Sequence, residues 1–125
     1  MALKVDTLKR LRDIVKRKRR SSDLLNAVFE LLNFKDVEIK LYNLLLKKPL
    51  TVNEIEQKLD ISDRTIREYI KGLLERGFIT REVLKEKRLK YVYSAIPIKE
   101  GWNRVRKELE EVIKEIDKVF SRLKE

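Results

Sequence analysis

Residues 51–77 read T-V-N-E-I-E-Q-K-L-D-I-S-D-R-T-I-R-E-Y-I-K-G-L-L-E-R-G, and the fold turns on how this stretch is read. Thr51 followed three residues later by Glu54 is a capping-box signature, in which side chains satisfy the first free backbone donors of a helix. Val52, Ile55 and Leu59 then fall at offsets 0, 3 and 7 and form one apolar stripe. Asp60-Ile61-Ser62 is too short for a free loop and ends on a good N-cap residue, so a second helix opens near Asp63. Within it Ile66, Ile70, Leu73 and Leu74 make a buried face, while Arg64, Arg67, Glu68 and Lys71 share a different one. Gly77 stands where a helix end usually needs a left-handed residue.

The outer face of the second helix carries the chemistry. Arginine can bond two acceptors of a guanine edge at once, and lysine can reach bases or phosphates. Ser62, Asp63 and Thr65 occupy the first turn, the part of such a helix that usually enters a groove deepest. Phosphate would repel Asp63 and Glu68, which could instead accept from a cytosine amino group or orient the neighbouring arginines. On charge alone, Arg64, Arg67 and Lys71 read equally well as a solvated face in a chain that is 42% charged. The parts on either side tip the balance toward DNA.

After Gly77 the period changes from helical to alternating. Phe78 to Val83 and Leu89 to Ile96 suit two strands, with Tyr91, Tyr93 and Ala95 on one face. The connection between them is basic at Lys85, Lys87 and Arg88, and Lys90 adds a further charge. A basic hairpin beside such a helix can grip phosphates or enter the minor groove. Helix, turn, helix and hairpin in that order make a winged helix-turn-helix.

Residues 34–97 resemble the DNA-binding domain of archaeal winged-helix transcriptional regulators, most closely the TrmB-like group and more distantly the MarR and ArsR groups. The resemblance rests on Val37-Glu38-Ile39-Lys40-Leu41-Tyr42, on Pro49 to Ile55, on Ile61 to Arg67, and on Leu73 to Ile79. It implies dimeric DNA binding, with the helix that opens at Asp63 in the major groove. Two departures stand out. Lys35 occupies a position where a capping Ser or Thr is common, and the long sugar-binding portion of full TrmB-like proteins has no counterpart here, so no sugar sensing is expected.

Composition removes other classes. The 125 residues contain no Cys and no His, so a disulfide framework, a thiolate metal site and the commonest general base are all absent. No Gly-rich phosphate loop occurs, and the carboxylates are scattered along charged helix faces. No enzyme activity, metal or cofactor is expected, and nothing in the residues marks an effector pocket. No apolar run approaches a membrane span, and the charged N-terminus is not a signal peptide, so a cytoplasmic protein is expected. Abundant Lys and Glu with a single Gln point to a thermophilic source.

Charge is placed unevenly. Residues 1–20 hold nine Lys or Arg against two Asp, and so carry seven of the ten net positive charges. Arg17, Lys18, Arg19 and Arg20 end this segment as an auxiliary arm that can neutralise phosphates. Leu8, Leu11 and Val15 give the same segment an apolar stripe, so it should pack on something. A solvated basic helix is an alternative, whereas a membrane-surface helix explains the same residues less well, because the apolar face is short and lacks aromatics. Ser21-Ser22-Asp23 then caps another helix with a stripe at Leu24, Val28, Leu31 and Leu32. Phe29, Phe34 and Tyr42 read as packing residues.

The C-terminal segment holds the second clear signal. Trp102, Val105, Leu109, Val112, Ile116, Val119 and Leu123 are spaced alternately by three and four, a heptad pattern widened by Ile113 and Phe120. We read these nine residues as a dimerisation face; a helix folded back on its own domain is the alternative. The expected fold is therefore mainly α with a small β-hairpin wing. It comprises a basic N-terminal helix (1–20), a winged helix-turn-helix (21–97) and a C-terminal dimerisation helix (98–125) in one compact domain. The expected partners are double-stranded DNA and a second copy of the chain, and the expected role is that of a sequence-specific, homodimeric transcriptional regulator. An architectural protein that coats DNA without sequence choice is one alternative, favoured by the basic N-terminus. A protein–protein interaction module is another, kept open by Asp63 and Glu68.

Overall fold

Local chemistry sets where each element starts and stops in the computed structural model, which describes residues 5–17, 20–85 and 89–123. Six helices and one hairpin follow in order: α1 (Val5–Lys16), α2 (Ser21–Leu31), α3 (Asp36–Lys47), α4 (Val52–Leu59), α5 (Asp63–Arg76), β1 (Ile79–Lys85), β2 (Leu89–Ala95) and α6 (Ile98–Ser121). The fold is mainly α with a two-stranded wing, as expected.

At the start of α4 the Thr51 N–H and hydroxyl donate to Glu54 Oε1 at 3.0 and 3.1 Å, and the Glu54 N–H donates back to Thr51 Oγ1 at 3.3 Å. The backbone bond from Thr51, helped by its hydroxyl, holds the Glu54 carboxyl below its usual range. Lys35 does cap α3, but by a different route from Ser or Thr. Its side chain has nothing to accept with, so the cap consists of the Lys35 N–H donating to Glu38 Oε1 at 2.9 Å. The cap of α2 differs from expectation. Arg20 is the N-cap and no side chain closes it, so Ser21 and Ser22 lie inside the helix rather than before it. Gly77 ends α5 with φ +81°, its N–H returning to the Leu73 and Leu74 carbonyls.

The core is aromatic at its centre. Phe29 stacks on Phe34 with ring centroids 4.5 Å apart, and meets the rings of Tyr42 and Phe78 edge-on at 5.3 and 5.4 Å. Ile55, Ile66, Ile70 and Leu73 bring the helix-turn-helix onto this cluster. On α2 the buried stripe is Leu25, Val28 and Phe29, rotated from the expected Leu24 and Leu31, which are only half-buried. The Tyr42 hydroxyl donates to the Ile96 carbonyl at 2.7 Å. Burial, reinforced by the nearby Glu100 charge, pushes this phenol up to about 12.

The strands pair antiparallel from Ile79↔Ala95 to Lys85↔Leu89; β1 runs two residues further toward the tip than the alternation predicts, while β2 begins at Leu89 as expected. The wing is rooted by a third short partner. Leu50, just before α4, exchanges both backbone hydrogen bonds with Tyr93, at 3.0 and 2.9 Å.

The flanking helices behave differently from one another. α1 packs on α2 through Ile14, and Arg10 pairs with Glu30 at 2.6 Å. Of its expected stripe, Leu11 is half-buried while Leu8 and Val15 stay exposed, because Ile14 rather than Val15 meets α2. α6 is divided. Val105, expected on the dimerisation face, is 0% exposed in its own core, because the first turns of α6 pack on α2. Leu109 is half-buried against the same core. Every described residue from 110 to 123 is exposed.

Candidate nucleic-acid interface

Ser62 is the N-cap of α5, and its hydroxyl is already committed. It accepts from the Thr65 N–H at 3.3 Å and donates to Thr65 Oγ1 at 2.9 Å. Ser62 therefore shapes the helix start, and Thr65 keeps a hydroxyl hydrogen for an outside acceptor. Two ion pairs follow along the exposed face. Arg67 Nε donates to Asp63 Oδ1 at 2.8 Å, whereas Arg64 and Glu68 stand 3.7 Å apart. The Asp63 contact thus biases the Arg67 side chain toward one orientation, and the Arg64 side chain, 91% exposed, is less restrained. Exposed pairs of this kind add little stability, so their effect is on geometry. Lys71, one turn beyond Arg67, has no carboxylate within 4 Å among the described residues.

The pleat of the wing sorts its residues onto two faces. Arg81 and Val83 lie opposite Tyr93 and Tyr91, on the face turned toward α5. Lys90 pairs with Leu84 on the other face. Arg81 sits 4.5 Å above the Tyr91 ring, a cation–π contact that steadies the guanidinium. Between this face and α5 runs an open crevice of about 420 Å³, into which Arg67, Lys71 and Arg81 all project. Sequence reading missed Arg81, because its side of the ribbon is set by strand register. Lys85 ends β1, while Lys87 and Arg88 lie outside the described residues.

In the basic arm, Arg17 and Arg20 are exposed, and Lys18 and Arg19 lie outside the described residues. Arg17 borders a cleft shared with Arg10, Asp13, Asp23 and Glu30. α1 packs on α2, whereas α5 packs on α3, α4 and β1. α1, which leads to Arg17, and α5 thus have different packing neighbours.

A family model described as "Sugar-specific transcriptional regulator TrmB" matches residues 29–99. This chain belongs to the TrmB family. The match runs from Phe29 of the aromatic core, through both helices of the helix-turn-helix and the wing, into the first residues of α6. Solved structures share the fold. A possible transcriptional regulator from Methanosarcina mazei Go1 superposes with a TM-score of 0.68 at 13% identity, over 78% of this chain and 86% of that one. The reduced form of the transcriptional regulator YodB from B. subtilis gives 0.50 at 25% identity, over 73% and 82%. A mutant of S. aureus MepR bound to an oligodeoxyribonucleotide gives 0.51 at 17% identity, over 94% and 85%. No match was found among curated proteins.

Apolar surface is also concentrated where the flanking helices meet α2. Val15 of α1, Leu24 of α2 and Ile98 and Trp102 of α6 line a groove of about 520 Å³. Further along α6, beyond the buried Val105 and the half-buried Leu109, Val112, Ile113, Ile116, Val119, Phe120 and Leu123 form an exposed apolar stripe. No helix among the described residues is long and apolar enough to cross a membrane.

Proposed function

We propose that this chain is a transcriptional regulator that binds double-stranded DNA as a homodimer and reads sequence through α5. The observation that carries this reading is the outer face of α5, where Arg64, Arg67 and Lys71 stand exposed, with Arg67 fixed by Asp63. Its capped first turn presents Asp63 and Thr65, with Ser62 holding the backbone. Glu68 tunes Arg64 as Asp63 tunes Arg67. Lys85, Lys87, Arg88 and Lys90 of the wing hold the phosphate backbone, and Arg17, Lys18, Arg19 and Arg20 add a non-specific clamp.

Dimerisation falls to α6. Contiguous apolar surface of this kind marks an interface, and a second copy would cover it. Residues 106–123 carry five basic and five acidic side chains, so two such helices can meet without the repulsion expected of a chain with net charge +10. Trp102, Val112, Ile113, Ile116, Val119, Phe120 and Leu123 form the seam, with Leu109 at its edge.

Selection of bound duplexes from a random-sequence pool at ~0.15 M salt tests the reading, since salt sets the strength of the backbone term. An inverted repeat with half-sites about 10 base pairs apart is the expected result. Recovery of duplex with no motif would replace this reading with an architectural one. Failure to recover any duplex would point to a protein partner.

A further inference from the structure

The function proposed above uses Arg67 and Lys71 but gives no role to the crevice between α5 and β1 that they line. Arg67 and Lys71 enter it from successive turns of the helix, and Arg81 enters from the wing. Glu75 stands at the same opening, so three cations face one carboxylate. Its floor is apolar, made by Ile70 and Tyr93, both buried. No side chain within 4 Å neutralises Lys71 or Arg81 among the described residues.

Lys71 and Arg81 above an apolar floor match the chemistry of one stretch of nucleic-acid backbone, a charged phosphate joined to a weakly polar deoxyribose. Tyr91 holds the Arg81 guanidinium before any ligand arrives, which reduces the entropy lost on binding. The crevice is open along one side, as a continuous strand requires and a small enclosed ligand does not.

We propose that this crevice is a seat for one backbone phosphate of bound duplex, with Lys71 and Arg81 as its two clamps. The assignment rests on the DNA-binding reading above. It gives the cations of α5 different roles, with Arg64 and Arg67 facing base edges and Lys71 working with the wing. It also makes the root of the wing, rather than its tip alone, a determinant of affinity.

The test measures binding of the full chain to its selected duplex and to a random duplex across a salt series, comparing wild type with Arg81→Ala, Lys71→Ala and Arg81→Lys. Loss of one phosphate contact should lower the slope of log affinity against log salt by about 0.9 for either alanine variant, equally on both duplexes. Arg81→Lys should restore the slope. Methylphosphonate placed at single positions of the selected duplex should weaken wild type at one phosphate to which both alanine variants have become indifferent. Wild-type binding with an unchanged slope for Arg81→Ala would overturn the seat and leave the DNA-binding reading standing. Absence of wild-type binding at ~0.05 M salt, where backbone attraction is strongest, would overturn both. Free inorganic phosphate releasing duplex more strongly than chloride at equal ionic strength would assign the crevice to a soluble anion instead.

Discussion

Arg67 and Asp63 are joined across one turn of α5, Nε to Oδ1, at 2.8 Å. The bond uses one of the five donors of the guanidinium and leaves the two terminal nitrogens free. A guanine edge can then be met only end-on, through those nitrogens. If α5 reads bases as proposed, Asp63 is a positioning residue for Arg67, and its charge opposes a phosphate that approaches in the wrong register.

Two substitutions separate those roles. Arg67→Ala should cost ~1–3 kcal/mol on the selected site and far less on random duplex. Asp63→Asn should strengthen binding to random duplex while weakening the preference for the selected site. Both follow from competition binding with the two duplexes. Equal losses for Arg67→Ala on both would reduce Arg67 to a phosphate contact. Melting temperature should barely move for Asp63→Asn, because the pair is solvent-exposed.

Gly77 provides a test of the fold itself. A Cβ there would run into the Arg104 guanidinium, but that group is the far end of a flexible side chain and can move aside. The φ of +81° cannot be relieved so easily. Gly77→Ala should therefore destabilise the protein by ~1–2 kcal/mol, the cost of a left-handed backbone for a residue with a Cβ. Urea unfolding measures it, and an unchanged midpoint would show that the turn can rearrange.

Tyr42 gives the protein an alkaline limit. Its phenol titrates near 12 in the folded chain against an ordinary 10, so the folded state favours the protonated form. That contribution is full below pH 10 and is lost as pH rises from 10 toward 12. Tyr42→Phe should lower stability at neutral pH by ~1–2 kcal/mol, since the Ile96 carbonyl loses its donor. The gap between variant and wild type should narrow between pH 10 and 12 in parallel thermal melts; a constant gap would contradict the assignment.

The two halves of α6 should respond in opposite ways. Phe120→Glu or Ile113→Glu places charge on exposed apolar surface, and should yield monomers in sedimentation velocity with little change in the melting of the monomeric unit. Val105→Ala should instead cost ~1.5–3 kcal/mol of fold stability, two buried methyl groups plus the cavity they leave, without dissociating the dimer. Monomers throughout, for wild type as well, would remove dimerisation from the reading.

What the sequence revealed follows the range of the interaction involved. The Thr51 box, the Ser62 cap and the left-handed Gly77 are closed by partners three to five residues away, and all three were readable from the chain. So was the split between the buried Ile66, Ile70 and Leu73 and the exposed Arg64, Arg67 and Lys71, because 3.6-residue periodicity fixes it. Val105 was misplaced because the heptad spacing is the same whether a residue meets its own core or another helix. Ile14, rather than Val15, faces α2 for a related reason: on a short helix either stripe satisfies the pattern, and the Arg10–Glu30 pair helps select one. Arg81 could not be found until the register Arg81↔Tyr93 was known, since a shift of one residue would turn it to the opposite face.

α6 runs unbroken from Gly101, where an added Cβ would lie 3.0 Å from the Tyr42 hydroxyl, to the exposed Phe120. An uninterrupted helix does not swivel, so the direction in which Phe120 points is geared to the direction in which Arg67 points. One residue inserted between Glu110 and Val112 would turn the outer stripe by about 100° and advance it by about 1.5 Å, with the helix-turn-helix untouched. If α6 pairs two copies as proposed, related chains that differ in α6 length by single residues would hold their two α5 helices at different angles. Operator spacing would become a property of helical phase, adjustable without changing any residue that touches DNA.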